Sequence, residues 1–153
     1  MNEVDLGILL RIVVIAVLAG ILGWERESAR KSAGLRTHIL IGISAMLFVA
    51  IGELMIEKFS AYGTLVRFNP ADLVVAVVAG ISFLGAGMII FNKDQNRIKG
   101  LTTGAGILTT AAIGMIVGLE RYGLAAGATA IVFGVLHFVR RFEEKLPEED
   151  KED

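Results

Sequence analysis

LGILLRIVVIAVLAGILGW, residues Leu6–Trp24, holds a single charge, Arg11, and is about as long as a bilayer's hydrocarbon core is thick. A helix needs roughly 20 mostly apolar residues to cross that core. Four more runs of the same kind follow: Thr37–Ile56, with Glu53 near its end, Leu73–Asn92, Gly100–Leu119 and Tyr122–Val139. Nearly all remaining charges fall in the gaps between them. Valine-rich pieces such as LVVAVVAGI (Leu73–Ile81) read as buried strands in isolation. Inside long uncharged runs that reading fails, because lipid-exposed sheet edges leave backbone groups unsatisfied. The chain is therefore expected to be an all-α membrane protein, a compact bundle of five transmembrane helices. Residues 1–146 form one transmembrane domain on this reading, and 147–153 a disordered, charged cytoplasmic tail.

The bulk composition agrees. Of 153 residues, 54% are hydrophobic, and the mean hydropathy is +0.66. The net charge of −1 says nothing about partners, and no nucleic-acid partner is expected. With no cysteine, disulfides, thiolate metal sites and thiol nucleophiles are excluded. Two histidines without HExxH-like spacing give no metal site. No cofactor is implied, no Ser/His/Asp set is visible, and the chain is not expected to be an enzyme. The first run follows the acidic MNEVD and precedes basic residues, the reverse of a cleavable signal peptide, so it is read as a retained span.

Orientation follows from Lys and Arg in the gaps. The gaps after the first and third runs, with the tail, hold 11 of them, and the gaps on the other side hold 3. The amino terminus is thus expected outside and the carboxyl tail in the cytoplasm of a plasma-membrane protein. Residues Glu25–Arg36 are expected to form a short surface helix and turn, with Glu27 pairing to Lys31 at i,i+4 and Gly34 as the stop. In the long outer gap, Phe59, Tyr62 and Phe68 suit an interface and Asn69-Pro70 a helix entry. The inner gap NKDQNRIK reads as a tight connection.

Small residues form stripes: Ala16, Gly20 and Gly23 in the first run, Gly104, Ala111, Gly114 and Gly118 in the fourth, and Gly123, Gly127, Ala130 and Gly134 in the fifth. Such stripes let helix backbones approach closely. Either every stripe is consumed within the chain, or one is left for a second copy in a homodimer. The glycine-dense segments GISFLGAGMI (Gly80–Ile89) and GLTTGAG (Gly100–Gly106) raise a similar alternative. Each glycine weakens a helix by about 1 kcal/mol against alanine. Close packing, or a locally opened helix lining a cavity, has to compensate. Gly80, Ser82, Gly85, Gly87, Gly100, Thr102 and Thr103 are the candidates there. The two threonines are placed to cap the fourth helix, and Lys99 beside them makes that start a candidate anion site.

Charges within the runs need an explanation, since each costs several kcal/mol in hydrocarbon. Arg11 is expected to pair with Glu53 or Asp72 in an outer polar cluster, or to snorkel outward. An inner cluster gathers Glu25, Arg26, Glu27, Lys31, Arg36, Thr37 and His38. Basic residues there set orientation, but carboxylates do not, so this is the leading site candidate. Glu25 and Arg36 are expected to form a buried pair or part of a docking surface, and His137 to be a packed or interfacial residue.

GWERESARKSAGLRTH (Gly23–His38), GISFLGAGMI and GLTT together resemble the amino-terminal membrane domain of the MgtC/SapB family, over about Leu9 to Gly118. The resemblance assigns the family's polar residues to Glu25, Arg26, Glu27, Lys31, Arg36, Thr37 and His38, and its glycines to Gly80, Gly85, Gly87 and Gly100. Asp72, Ser82 and Leu108 stand where members often carry Arg, Gly and Trp. Many members add a soluble domain after the last span, and this chain resembles a short form without it. Members are associated with magnesium limitation and with pathogen survival in macrophages, and act as regulators of other membrane proteins, ATP synthase among them. The expectation is a non-enzymatic regulator in magnesium or ion homeostasis, whose partners are the lipid bilayer and another integral membrane protein. A small oligomeric ion transporter or channel is the alternative.

Overall fold

A computed structural model describes residues 3–59, 69–92 and 97–139. Five helices run in alternating directions: α1 (Glu3–Ser28), α2 (Leu35–Phe59), α3 (Pro70–Gly87), α4 (Leu101–Gly118) and α5 (Tyr122–Gly134). The last continues as a π-helical turn, Val135–Val139. All five are long and apolar enough to cross a membrane. At ~1.5 Å per residue, α3 and α4 reach about 27 Å, just enough for the hydrocarbon core.

The helix ends have local causes. Asn69 caps α3 by accepting from the Ala71 amide at 3.1 Å, and Pro70 occupies the first turn, where its missing N–H costs nothing. α1 and α4 end alike. Arg30 (φ 54) and Glu120 (φ 58) adopt the left-handed conformation. The following amides, Lys31 and Arg121, reach back to the Arg26 and Ile116 carbonyls at 3.0 and 3.2 Å. Both are Schellman terminations built without glycine. Arg30, and not Gly34, is therefore the stop after α1. The expected separate surface helix is absent from this region: Glu25–Ser28 is the last turn of α1 itself.

The third span also differs from the Leu73–Asn92 reading. α3 starts three residues earlier and ends at Gly87. Beyond it, β1 (Ile90–Asn92) pairs antiparallel with β2 (Arg97–Lys99), Phe91 opposite Ile98. A hairpin satisfies backbone groups that a fraying helix end would leave open. Gly100 (φ 96) joins β2 to α4, and a Cβ there would overlap the Met88 carbonyl oxygen. No side chain caps α4. The capping expected of Thr102 and Thr103 does not occur, because both lie inside the helix, after its glycine cap.

α4 sits at the centre and touches the other four helices. Half of its residues are buried, against 11% of α3 and 17% of Tyr122–Val139. The main core joins Ile15, Ala19 and Leu22 of α1, Met46 and Ala50 of α2, Ile113 and Val117 of α4, Ala125 of α5 and Leu136. Glycines set the spacing. A Cβ on Gly114 would run into the Gly42 carbonyl oxygen, and one on Gly118 would lie 2.7 Å from Val49. At the α1–α2 crossing, a Cβ on Gly23 would lie 2.8 Å from the Leu35 backbone. Tyr62 and Phe68, and the tail beyond Val139, lie outside the described residues.

Candidate functional site

Glu25 and Arg26 project from the last buried turn of α1 and ion-pair with each other, their side chains only 4% and 3% exposed. Arg26 also donates from Nη2 to the Leu136 carbonyl at 3.0 Å, inside the π-helical turn. His38, on the first turn of α2, is fully buried. Its Nδ1 lies 3.0 Å from the Gly34 carbonyl. A carbonyl only accepts, so Nδ1 carries a proton, and in the neutral ring Nε2 presents a lone pair. That Nε2 is buried with no partner among the described residues. It faces Gly106, where an added Cβ would lie 3.6 Å away. Charge and imidazole are thus sealed where α1, α2, α4 and the end of α5 converge.

The remaining inner residues lie outside this seal. Glu27 is exposed and accepts from the Leu35 amide at 2.8 Å, so it caps α2 from the end of α1. Gly34 leaves room for that carboxylate, since a Cβ would stand 2.8 Å from Oε2. Lys31 is exposed beyond the helix, and the expected Glu27–Lys31 helical pair does not form. Arg36 is exposed, and with half-buried Thr37 it lines a shallow polar pocket beside Glu27. Glu25 pairs with its neighbour Arg26 and not with Arg36, which corrects the expected pair. Glu25, Arg26 and His38 are too buried for the docking surface assigned to them.

At the opposite end, Arg11 donates from Nη1 to Glu53 at 2.7 Å and to the Gly118 carbonyl at 2.8 Å, and from Nη2 to Glu120. The guanidinium staples α1, α2 and the end of α4. Asp72 is not part of it; it accepts from Asn69 at the start of α3. Glu120 entered only through the fold, because its left-handed backbone at the α4 terminus brings its carboxylate to Arg11. Leu136 and Gly106 were likewise missed. A backbone carbonyl carries no sequence signal, though Gly106 closes the glycine-dense segment Gly100–Gly106.

In the glycine-dense region, Gly85 and Gly104 meet: a Cβ on Gly85 would lie 3.5 Å from the Gly104 Cα. Close packing describes this pair. Gly80 and Gly87 have nothing within 4 Å of such a Cβ, and neither do Gly123 and Gly127 of α5. Ser82 and Thr102 are exposed and Thr103 is buried. His137 stacks on Phe133 with ring centroids 5.6 Å apart.

Residues 12–145 match the MgtC family. The chain is 38% identical over 138 residues to "Putative magnesium transporter YhiD" of Escherichia coli K12, covering 90% of this chain and 63% of that protein. It is 33% identical over 130 residues to "Protein MgtC" of Brucella abortus, covering 85% and 50%. With "Protein SapB" of Bacillus subtilis the identity is 29% over 136 residues, covering 89% and 58%. The chain therefore spans about half to two-thirds of the length of these relatives, none of whose names denotes an enzyme. No solved structure matches.

Proposed function

The chain belongs to the MgtC family, and from that premise we propose a non-enzymatic regulator in magnesium homeostasis that docks its open helix faces against another membrane protein. One observation carries this reading. The charged groups inside the bundle are spent on internal ties, while Gly123 and Gly127 of α5 meet no described residue of the chain. Glu25, Arg26 and the Leu136 carbonyl close the inner cluster, and Arg11 joins Glu53, Glu120 and the Gly118 carbonyl in the outer one. Gly123 and Gly127 keep the small, open surface that close helix association uses in lipid. Exposed Glu27, Lys31 and Arg36 lie at the other, basic end of the bundle.

The amino terminus faces outward on this reading. Arg26 drops out of the count of gap residues because it is buried within α1, yet the basic residues still stand ten to three in favour of that orientation. Cysteine labelling of intact cells at the two termini tests it.

The transporter reading draws on the buried, unpartnered His38 Nε2 and on the name given to the Escherichia coli relative. Purified protein in liposomes separates the two. Regulation requires magnesium-silent vesicles and, in cells, a membrane protein captured by a photo-crosslinker at exposed Leu124 and not at buried Thr110. Magnesium flux that Glu25→Gln or Arg36→Gln abolishes would establish transport instead.

A further inference from the structure

Between α2 and α3 the bundle is split by a cleft of about 360 Å³. Its walls are Leu40, Ser44 and Phe48 on α2 and Ala76, Gly80 and Leu84 on α3, with Ile41, Val77 and Ile81 at its floor. Ser44 supplies its only side-chain polar atom. We propose that this cleft seats one acyl chain of an anionic phospholipid from the leaflet at the basic end of the bundle, with the lipid phosphate held by Arg36.

Three observations converge on that occupant. The first is shape. Leu40 to Phe48 and Ala76 to Leu84 each span about 12 Å at ~1.5 Å per residue, which is less than half of a ~30 Å hydrocarbon core. The cleft therefore reaches from one membrane surface toward the midplane and no further. An apolar cleft of that length, opening toward one membrane surface, matches a hydrocarbon chain reaching in from that leaflet.

The second is the register of α2. Arg36, Leu40, Ser44 and Phe48 are spaced by four and form one ridge. The ridge that walls the cleft thus ends, one turn beyond Leu40, in an exposed guanidinium. Arginine suits phosphate because its planar fork donates to two oxygens at once. Among the described residues no carboxylate pairs with Arg36. The nearby Glu27 carboxylate, which shares a shallow pocket with Arg36, is engaged by the Leu35 amide at 2.8 Å. The hydroxyl-bearing Thr37 lines the same pocket. Exposed Lys31, in the α1–α2 loop, and Lys99, at the end of β2, lie at this end and add to its positive charge.

The third is Gly80. A Cβ there meets nothing within 4 Å, so this glycine serves no helix–helix contact among the described residues. What it does is keep the cleft open. The inference requires only that the chain crosses a membrane, and it stands or falls independently of the regulator reading.

The test uses the full chain, extracted into detergent from vesicles of equal phosphatidylglycerol and phosphatidylcholine, with retained lipid measured by native mass spectrometry. The wild type should keep one phospholipid per chain, phosphatidylglycerol favoured about fivefold, as one arginine near an anionic headgroup implies. Gly80→Leu fills the cleft without meeting a protein atom at its Cβ. It should lower retention roughly tenfold, the loss from unseating about two methylenes, with helical circular dichroism unchanged. Ala76→Leu, on the same wall, should do the same. Arg36→Gln should keep a lipid but bring the two headgroups to parity. Wild-type retention in both filled variants, or an undiminished preference in Arg36→Gln, overturns the proposal. So does a lipid-free wild type that runs as a dimer broken by Gly80→Leu, which would give the cleft to a second copy.

Discussion

α4 and α5 are both glycine-bearing apolar helices, yet their glycines serve opposite ends. Gly114 and Gly118 of α4 stand against the Gly42 carbonyl and Val49, and they set how closely α4 approaches α2. Gly123 and Gly127 of α5 face open space. In lipid there is little hydrophobic drive to bring helices together, so association depends on packing at such small residues. The α1–α2–α4 unit, with the Gly85–Gly104 contact of α3, is where the chain uses that packing on itself. α3 and α5 are attached more loosely, and much of their surface is left to lipid or to other molecules.

The sharpest way to break this comparison is Gly114→Leu. Its side chain would have to displace the α2 backbone at Gly42, so overpacking of about 3 kcal/mol or more is expected. Denaturing-detergent titration in micelles, followed by circular dichroism, measures it. Equal loss from Gly127→Leu would mean that the two helices are not packed differently at all.

Next in size is Arg26→Leu, which leaves the buried Glu25 without its partner. Breaking a buried pair from one side costs about 3 kcal/mol, sometimes up to 5. Pairing the change with Glu25→Gln should recover a good part of that loss, because no uncompensated charge remains. The same titration reads both variants. A double variant as unstable as the single one would show that the pair is not the source of the effect. Arg11→Leu should cost less, about 1 kcal/mol, since Glu53 and Glu120 are 45% and 58% exposed and water can take over much of their solvation. The ratio of the two arginine effects, read under identical conditions, measures how differently the two ends of the bundle are sealed.

Length and hydropathy were enough for the five helices, because spanning a bilayer is a local requirement on each run. Asn69-Pro70 was legible for the same reason: a cap and a first-turn proline act within a few residues. The end of α3 was not, since Ile90–Asn92 is apolar enough to continue a helix, and only its pairing with Arg97–Lys99 diverts it into a hairpin. The inner cluster shows the boundary most plainly. ERE followed by AGLRTH marked the right segment as unusual, but the sequence could not say that Glu25 turns to Arg26, or that Glu27 reaches forward to cap α2. Those choices depend on the α1–α2 crossing at Gly23 and Leu35, a contact between residues twelve apart. The stripes were visible as stripes. Which of them the chain would use on itself depends on which helices become neighbours, and that is a property of the whole bundle.

Gly127→Leu is the smallest expected effect on stability and the most informative about the open face. With nothing within 4 Å of a Cβ, the new side chain enters lipid or detergent, and the change should stay within about 0.5 kcal/mol. Loss of the glycine also removes a helix-weakening residue from α5, so a slight gain is equally consistent. If the face docks against another membrane protein, the same substitution blocks close approach of that protein's backbone and should abolish photo-crosslinking from a neighbouring position such as residue 124. A variant that folds normally and still crosslinks would show that the α5 glycines are not the contact and that the docking face must be sought on another side of the bundle. A variant that folds normally and no longer crosslinks would tie the open glycines to association, because the fold itself would not have changed.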